Sequence, residues 1–537
     1  MNTEISPGRR RAILLLLCIT VIVVVMDITI INVALEPIQR GLNTSNAGLQ
    51  WAVDAYLITF AAFLFTGGVS ADRFGRKKIL MAGMLLLGGA SALAAFSHSV
   101  AELVVWRAFM GVGAAVVPTV TLAIIIGIFP PPERPKAIAA WAAAAGVAFA
   151  VGPVLGGIML HNFWWGSIFL INAPLVVVGV ALIAFLVPES RNPMNTKFDP
   201  YGVPISIVAV GSLVYGLIRG GERNDWLSAR TLGPIVAGVL LIAILLWLES
   251  RLPTPSLDIR LLKNGRFSAG TVAIALAFFS LIGAIFIASL YFQAVLGYSP
   301  LKAGLLMLPM GVGSMFMSSR CPKLVPRFGA GPVVAAGATL MAISFITLSQ
   351  FGQTTPLTLL IIDELVFGLG WGCIMAPATG ALMSVVPPVK AGAGQAVTQT
   401  VRQVAGALGV ATIGSVLGVV YRSSIGSAVD VLPQGLRDQA AGSLGGTLHA
   451  IDTSRDQLKD QAPALLTKAR DAYLSGMQVT MIIAGAVALL AAFVALRWLP
   501  GRPPAGGPPV GVPATPPAPG TARPLEAAGP SVSAPNA

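Results

Sequence analysis

Two ionisable residues stand where hydrocarbon is expected on every side of them. Asp27 lies in MDITIINVALEP at 26–37, and Arg107 lies in LVVWRAFMGVGAA at 103–115, each inside a long apolar run. An acid within a membrane helix is expensive and is a functional candidate by default; its chemistry would be to take up and release a proton. Asp27 is about ten residues from Pro37, roughly 15 Å along a helix, and Arg107 is about seven residues, roughly 10 Å, from the start of its run. The depths are close enough for the two to meet, either as a structural ion pair or as a proton-coupling site. Other polar residues inside apolar runs are candidates for a substrate cavity. Asp54 and Tyr56 occur in WAVDAY at 51–56, where Asp54 could also snorkel to water and Tyr56 and Trp51 could be interface aromatics. Asp363 and Glu364 occur in IIDELVFGLGWG, and Arg402 in VRQVAGALGVA at 401–411. Adjacent residues on a helix point about 100° apart, so the two acids cannot face one cavity equally. At least one is expected to line the pore, with a place near the outer interface open to the other.

The composition says what kind of elements must hold these residues. The chain has 537 residues, 55% of them hydrophobic and 11% charged, and a mean hydropathy of +0.80. Soluble chains carry about 25% charged residues, so a membrane must be the solvent here. Taking about 20 apolar residues per crossing, spans fall near 12–35, 49–70, 79–97, 100–128, 136–160, 167–187, 200–218, 231–249, 266–295, 301–319, 331–349, 357–380, 391–420 and 474–499. With the N-terminus inside, inner segments hold 22 of the 35 Lys and Arg and outer segments 11, six of those in 421–473 alone. The positive-inside rule therefore puts both termini in the cytoplasm and the long segment 421–473 outside. The stretch from Pro500 has 12 prolines in 38 residues and is expected to be a disordered, solvated tail. Arg73-Phe74-Gly75 follows the second span and Arg327-Phe328-Gly329 the tenth, a faint repeat that maps spans one to six onto nine to fourteen.

Several function classes are excluded. The net charge of +13 is spread over short loops rather than gathered on a basic face, which argues against nucleic acid. Cys18, Cys321 and Cys373 are far apart without CxxC spacing, two in apolar runs and one in a loop, and His98, His161 and His449 lie between spans. No disulfide frame, metal site or cluster of catalytic groups is implied. Arg9 to Arg11 precede an apolar run as in a signal peptide, but the run is too long, carries Asp27 and has no small-residue cleavage site. A Walker A loop is absent.

The loop 68–80 reads GVSADRFGRKKIL, where Asp72 and Arg76 flank a tight turn that Gly75 permits. It resembles the signature loop of the major facilitator superfamily, G-x-L-a-D-r-x-G-r-k, with Ser70 in place of Leu. The resemblance implies that Asp72, Arg73 and Arg76, with Gly68 and Gly75, form a latch on the inner gate. GPVLGG at 152–157 lets helix backbones approach closely. It resembles the family's antiporter motif through Gly152, Pro153, Gly156 and Gly157, with Ala148 replacing its first Gly, and implies export. The first-span string, the fourth-span string (Met110 replacing Gln), WWGSIFLINAP (164–174), RLLKNGRFSAGT (260–271), SPLKAGLLMLPMGVG (299–313) and VRQVAGALGVA are similar to the fourteen-helix drug:proton antiporter branch, the quaternary-ammonium-type exporters. Where some exporters of dicationic compounds carry acids, this chain has Ser314, Gln399 and Gln403.

What the resemblance implies is an all-α membrane protein with a cytoplasmic N-tail (1–11), a six-helix bundle (12–187), an inserted helix pair (200–249), a second six-helix bundle (266–499, with outer loop 421–473) and a Pro-rich tail (500–537). It would sit in the bacterial inner membrane as a monomer among lipids. It would need no cofactor beyond the proton gradient and would exchange protons for monocationic or neutral amphipathic compounds, with Asp27 and Arg107 in energy coupling. The alternative is a dedicated exporter of one endogenous metabolite, antibiotic or lipid.

Overall fold

A computed structural model describes residues 6–42, 46–190, 202–223, 225–251, 264–386, 391–454, 458 and 461–501. The Pro-rich tail and the segment 252–263, which holds the start of one of the family-like strings, lie outside the described residues. Helices follow the apolar runs closely. In the first half they are α1 Pro7–Leu42, α2 Asn46–Phe74, α3 Arg76–Ala95, α4 Val100–Ile128, α5 Arg134–Asn162 and α6 Ser167–Leu186, the last broken at Ile171. Then come α7 Gly202–Arg223 and α8 Ala229–Arg251. The second half holds α9 Gly265–Leu290, α10 Leu308–Phe328 with a lead-in helix Pro300–Leu306, α11 Ala330–Leu348, α12 Leu357–Met383, α13 Ala391–Ile425 and α14 Ala462–Trp498. Thirteen of the described helices are long and apolar enough to cross a membrane, and α7 carries a shorter apolar stretch, Pro204–Gly220. Side chains such as Leu15, Val177, Phe185 and Phe493 are more than half exposed, as helices solvated by lipid require.

The faint repeat is a structural one. α2 packs on α4, α3 on α4, α1 on α5 and α3 on α6; α10 packs on α12, α11 on α12, α9 on α13 and α11 on α14, the same pairs eight helices later. The halves meet through α5 against α10 and α2 against α13, contacts that the repeat exchanges with each other. α7 packs on α2 and α13, with α8 outside it. The repeated Arg-Phe-Gly is a hinge in both copies: Gly75 has φ 112° and Gly329 φ 91°, each between two helices. Only glycine takes that backbone without strain.

Two expectations are corrected. The segment 421–473 is largely helical: α13 runs on to Ile425, short helices follow at Gln434–Gly442 and Leu444–Thr453, and α14 starts at Ala462. Tyr421 and Thr447 share a 2.7 Å hydrogen bond over buried Leu432, Leu444 and Ala450. Cys321 lies inside α10, not in a loop, and faces Cys373 of α12 although 52 positions separate them in the chain. Both are free thiols.

Candidate functional site

Asp27 and Arg107 meet. Arg107 Nη1 donates to Asp27 Oδ2 at 2.9 Å, and their side chains are 1% and 0% exposed, respectively. Two further groups complete the arrangement. Asn172 Nδ2 donates to Asp27 Oδ1 at 2.8 Å and lies 3.1 Å from Ser91 Oγ, which itself donates to Phe169 O. Arg107 Nε donates to Ala52 O at 3.1 Å, and its guanidinium sits 4.2 Å from the Tyr56 ring centroid. Asn172 reaches the site because α6 breaks at Ile171, which places it on the first turn after the break. Sequence reasoning missed it, although it stands in WWGSIFLINAP; an amide inside an apolar run was the available signal. Tyr56 is fully buried, stacked parallel to Phe60 at 5.9 Å, and belongs to the Arg107 site rather than to an interface. Trp51 is exposed and stacks on Tyr215 of α7. Asp54 is partly buried one turn ahead of Ile58 on α2.

The small residues at 152–157 hold the acid's own helix. A Cβ at Gly152 would collide with Thr29 Oγ1 and Met26 O of α1, and one at Gly156 with Ile30. The opposite side of the motif faces the second half: Gly157 lies against Leu301 and Pro153 against Gly304. One short string thus touches both the turn that carries Asp27 and the seam between halves.

In the loop after α2, Arg76 donates twice to Asp72 Oδ1, at 3.0 and 2.8 Å, and once to Ala123 O of α4 at 3.2 Å. Both residues are buried, as is Gly68. Arg76 N donates to Ser190 O, and Lys77 N to Glu189 Oε1, beyond the end of α6. A side chain at Gly75 would strike Glu189. Arg73 is exposed, over the ring of Phe74.

Asp363 and Glu364 both line one cavity. It lies among α9, α10, α11 and α12, within the second half, with Met307, Met310, Phe345 and Phe367 around it. Asp363 Oδ2 accepts from Ser344 Oγ at 3.0 Å. Adjacent side chains can share a cavity that wraps the helix edge, which a count of 100° per residue does not foresee. Arg402 of α13 lies elsewhere, its guanidinium 4.4 Å from the Phe278 ring of α9.

Comparison with known proteins gives a consistent answer. The profile described as Major Facilitator Superfamily matches residues 17–410. Over 498 residues the chain is 33% identical to the multidrug efflux pump LfrA of Mycolicibacterium smegmatis, covering 92% of this chain and 97% of that one. It is 31% identical to the tetracenomycin C resistance and export protein of Streptomyces glaucescens, covering 91% of each. It is also 31% identical to the methyl viologen resistance protein SmvA of Salmonella typhimurium, covering 89% and 96%. Among solved structures, the human organic anion transporter MFSD10 superposes with a TM-score of 0.60 at 14% identity, covering 91% of this chain and all of that one. The proton:xylose symporter XylE superposes with a TM-score of 0.57 at 16%, covering 92% and 96%. At such identities these two share the fold.

Proposed function

The chain belongs to the major facilitator superfamily, and from that membership and the buried group around Asp27 we propose that it exports drug-like amphipathic compounds in exchange for protons. It is a multi-pass membrane protein and not an enzyme. The named relatives support efflux, and the observation that carries proton exchange is the Asp27–Arg107 pair, 2.9 Å apart and closed off from solvent.

A buried ion pair tolerates loss of one partner badly, because the remaining charge is left uncompensated. Protonating Asp27 therefore leaves Arg107 with Ala52 O and the rings of Tyr56 and Phe169, none of them an anion, and weakens the bond from Asn172. The first half then gains by rearranging α1 against α4 and α6. α1 rests on the Gly152 and Gly156 face of α5, whose other side meets the second half, so movement at Asp27 reaches the seam. The Asp72–Arg76 latch would hold the cytoplasmic gate until α2 and α4 shift together. One proton crossing inward brings about 2.3 kcal/mol per 100 mV, which can drive a neutral compound uphill; a monocation leaving for one proton moves no net charge and draws on the pH gradient alone. Monocationic or neutral cargo follows from the family resemblance, and Asp363 and Glu364 line a cavity among helices of the second half. A bacterial cytoplasmic membrane, cytoplasmic termini and a monomer fit the charge distribution and this cycle.

The test uses everted vesicles with the full chain and a pH-sensitive dye. Adding a panel of amphipathic compounds should release protons from wild-type vesicles and not from Asp27→Asn vesicles. Equal release by both would end the proposal that Asp27 couples. A second reading, a dedicated exporter of one endogenous compound, draws support from the tetracenomycin C relative; response to a single compound in that panel would favour it.

A further inference from the structure

Where the two halves meet, a second polar group lies outside the proton-exchange machinery. Gln395, Gln399 and Arg402 follow one another on α13 at spacings of four and three, which sets them along one stripe of the helix. Gln399 is 1% exposed, and neither its Oε1 nor its Nε2 has a hydrogen-bond partner among the described residues. The same holds for Gln395 Oε1 and for the hydroxyl of Ser314 on α10, which is also 1% exposed. Arg402 Nε is buried without an acceptor, and no described residue forms an ion pair with this side chain.

Arg402 and Ser314 adjoin an aromatic pair. The Arg402 guanidinium lies over Phe278, which meets Trp371 of α12 edge-on at 4.9 Å and 71°. Trp371 and Ser314 both close on Gly146 of α5, where a Cβ would have no room beside Ser314 Oγ. Phe278, Trp371 and Gly146 each sit near the middle of their helices, whereas Gln395, Gln399 and Arg402 all lie in about the first third of α13. Beside the seam between the halves, an edge-on aromatic pair thus has one cation and one hydroxyl next to it, with the Gln399 amide one turn before the cation on α13.

A buried amide or hydroxyl is costly unless something bonds it, and a desolvated guanidinium is costly without an anion. Arg offers a planar fork of donors that fits a carboxylate bidentately. Other charges in the helices have partners, Asp27 with Arg107, Asp72 with Arg76 and Asp363 with Ser344, while Arg219 Nε of α7 is buried without an acceptor as Arg402 Nε is. We propose that this group is the cargo site and that it selects planar aromatic compounds bearing an acidic group. The ring lies against Phe278 and Trp371, and the acid on Arg402 and Gln399. Its role as a cargo site rests on the export reading; its preference for aromatic acids does not.

The test measures binding to the purified full chain in lipid nanodiscs, with no gradient, by fluorescence anisotropy of three matched probes. These are 1-pyrenebutyrate, 1-pyrenebutanol and (1-pyrenylmethyl)trimethylammonium. Wild type should bind the butyrate at least tenfold more tightly than the other two. Arg402→Gln should erase that ranking while changing the butanol by less than twofold. Arg402→Lys, keeping the charge without the planar fork, should lose about threefold. Equal binding of the three probes by wild type, or tightest binding of the ammonium, would overturn the proposal, as would an unchanged ranking in Arg402→Gln. The wild-type ranking decides even where a variant fails to give a monodisperse protein. An Arg402-dependent preference in a protein that releases no protons in vesicles would retire the exchange reading and keep this site.

Discussion

Asp27 is held by two donors from different helices, and the two should be separable by substitution. Asn172→Ala removes one hydrogen bond to a charged acceptor, a loss on the order of 1.5–3 kcal/mol, and leaves the ion pair to Arg107 in place. The expected outcome is a lower melting temperature with proton release slowed about tenfold but not abolished, read by scanning fluorimetry and the vesicle assay. Asp27→Asn should do the reverse. An amide has one oxygen, which can keep the bond from Arg107, and its NH2 can donate to Asn172 Oδ1 once that side chain turns over, so the helices stay tied, but it cannot exchange a proton at physiological pH, so coupling is lost. Variants that reversed this pattern would assign Asp27 to structure and Asn172 to coupling.

At the scale of the elements, helix contact is set by small residues that leave no space for a Cβ. Gly152 is the tightest of them toward α1, meeting both a side chain and a backbone carbonyl there. Gly152→Ala must push α1 and α5 apart, and overpacking of this kind costs about 1–3 kcal/mol. The expected outcome is a melting temperature several degrees lower and a large loss of export. Gly233→Ala on α8 is the control, since nothing lies within 4 Å of a Cβ built there. It should be silent in both measurements. A Gly152→Ala protein as stable and active as the control would mean that α1 is not held by this face. The hinge glycines carry a related prediction: Gly75→Ala and Gly329→Ala both force a left-handed backbone on alanine, costing about 1 kcal/mol or more. Both should lower the melting temperature, and in Gly75→Ala the new side chain would also strike Glu189. Comparing the two melting temperatures with that of wild type checks this.

For the whole molecule, the charge count and the repeat make a claim about sidedness. Gln434→Cys, on the exposed surface of the helical segment after α13, should react with an impermeant thiol reagent in intact cells. Gly520→Cys should react only after lysis, both in a background without Cys18, Cys321 and Cys373. The opposite pattern would invert the protein in the membrane and turn the proposed export into uptake.

Some of this was legible in the chain. Apolar runs of membrane length determine the helices locally, because each backbone group in lipid must be bonded within its own segment. Asp27 and Arg107 could be matched by depth alone, since a helix advances by a fixed rise per residue. The repeated Arg-Phe-Gly marked equivalent hinges, because a positive φ demands glycine in both copies. Depth, however, says nothing about rotation about a helix axis or about which helices touch. Asn172 could not be placed beside Asp27 without knowing that α6 breaks at Ile171 and packs on α1. Tyr56 faced inward under Arg107 rather than toward an interface for the same reason. Asp363 and Glu364 share a cavity only because α9, α10 and α11 close around that edge of α12. The cluster of Arg402, Gln399, Phe278 and Trp371 was invisible for a deeper reason. Its members come from three helices brought together by long-range packing, and a polar side chain's want of a partner is a property of its surroundings, which only the tertiary structure decides.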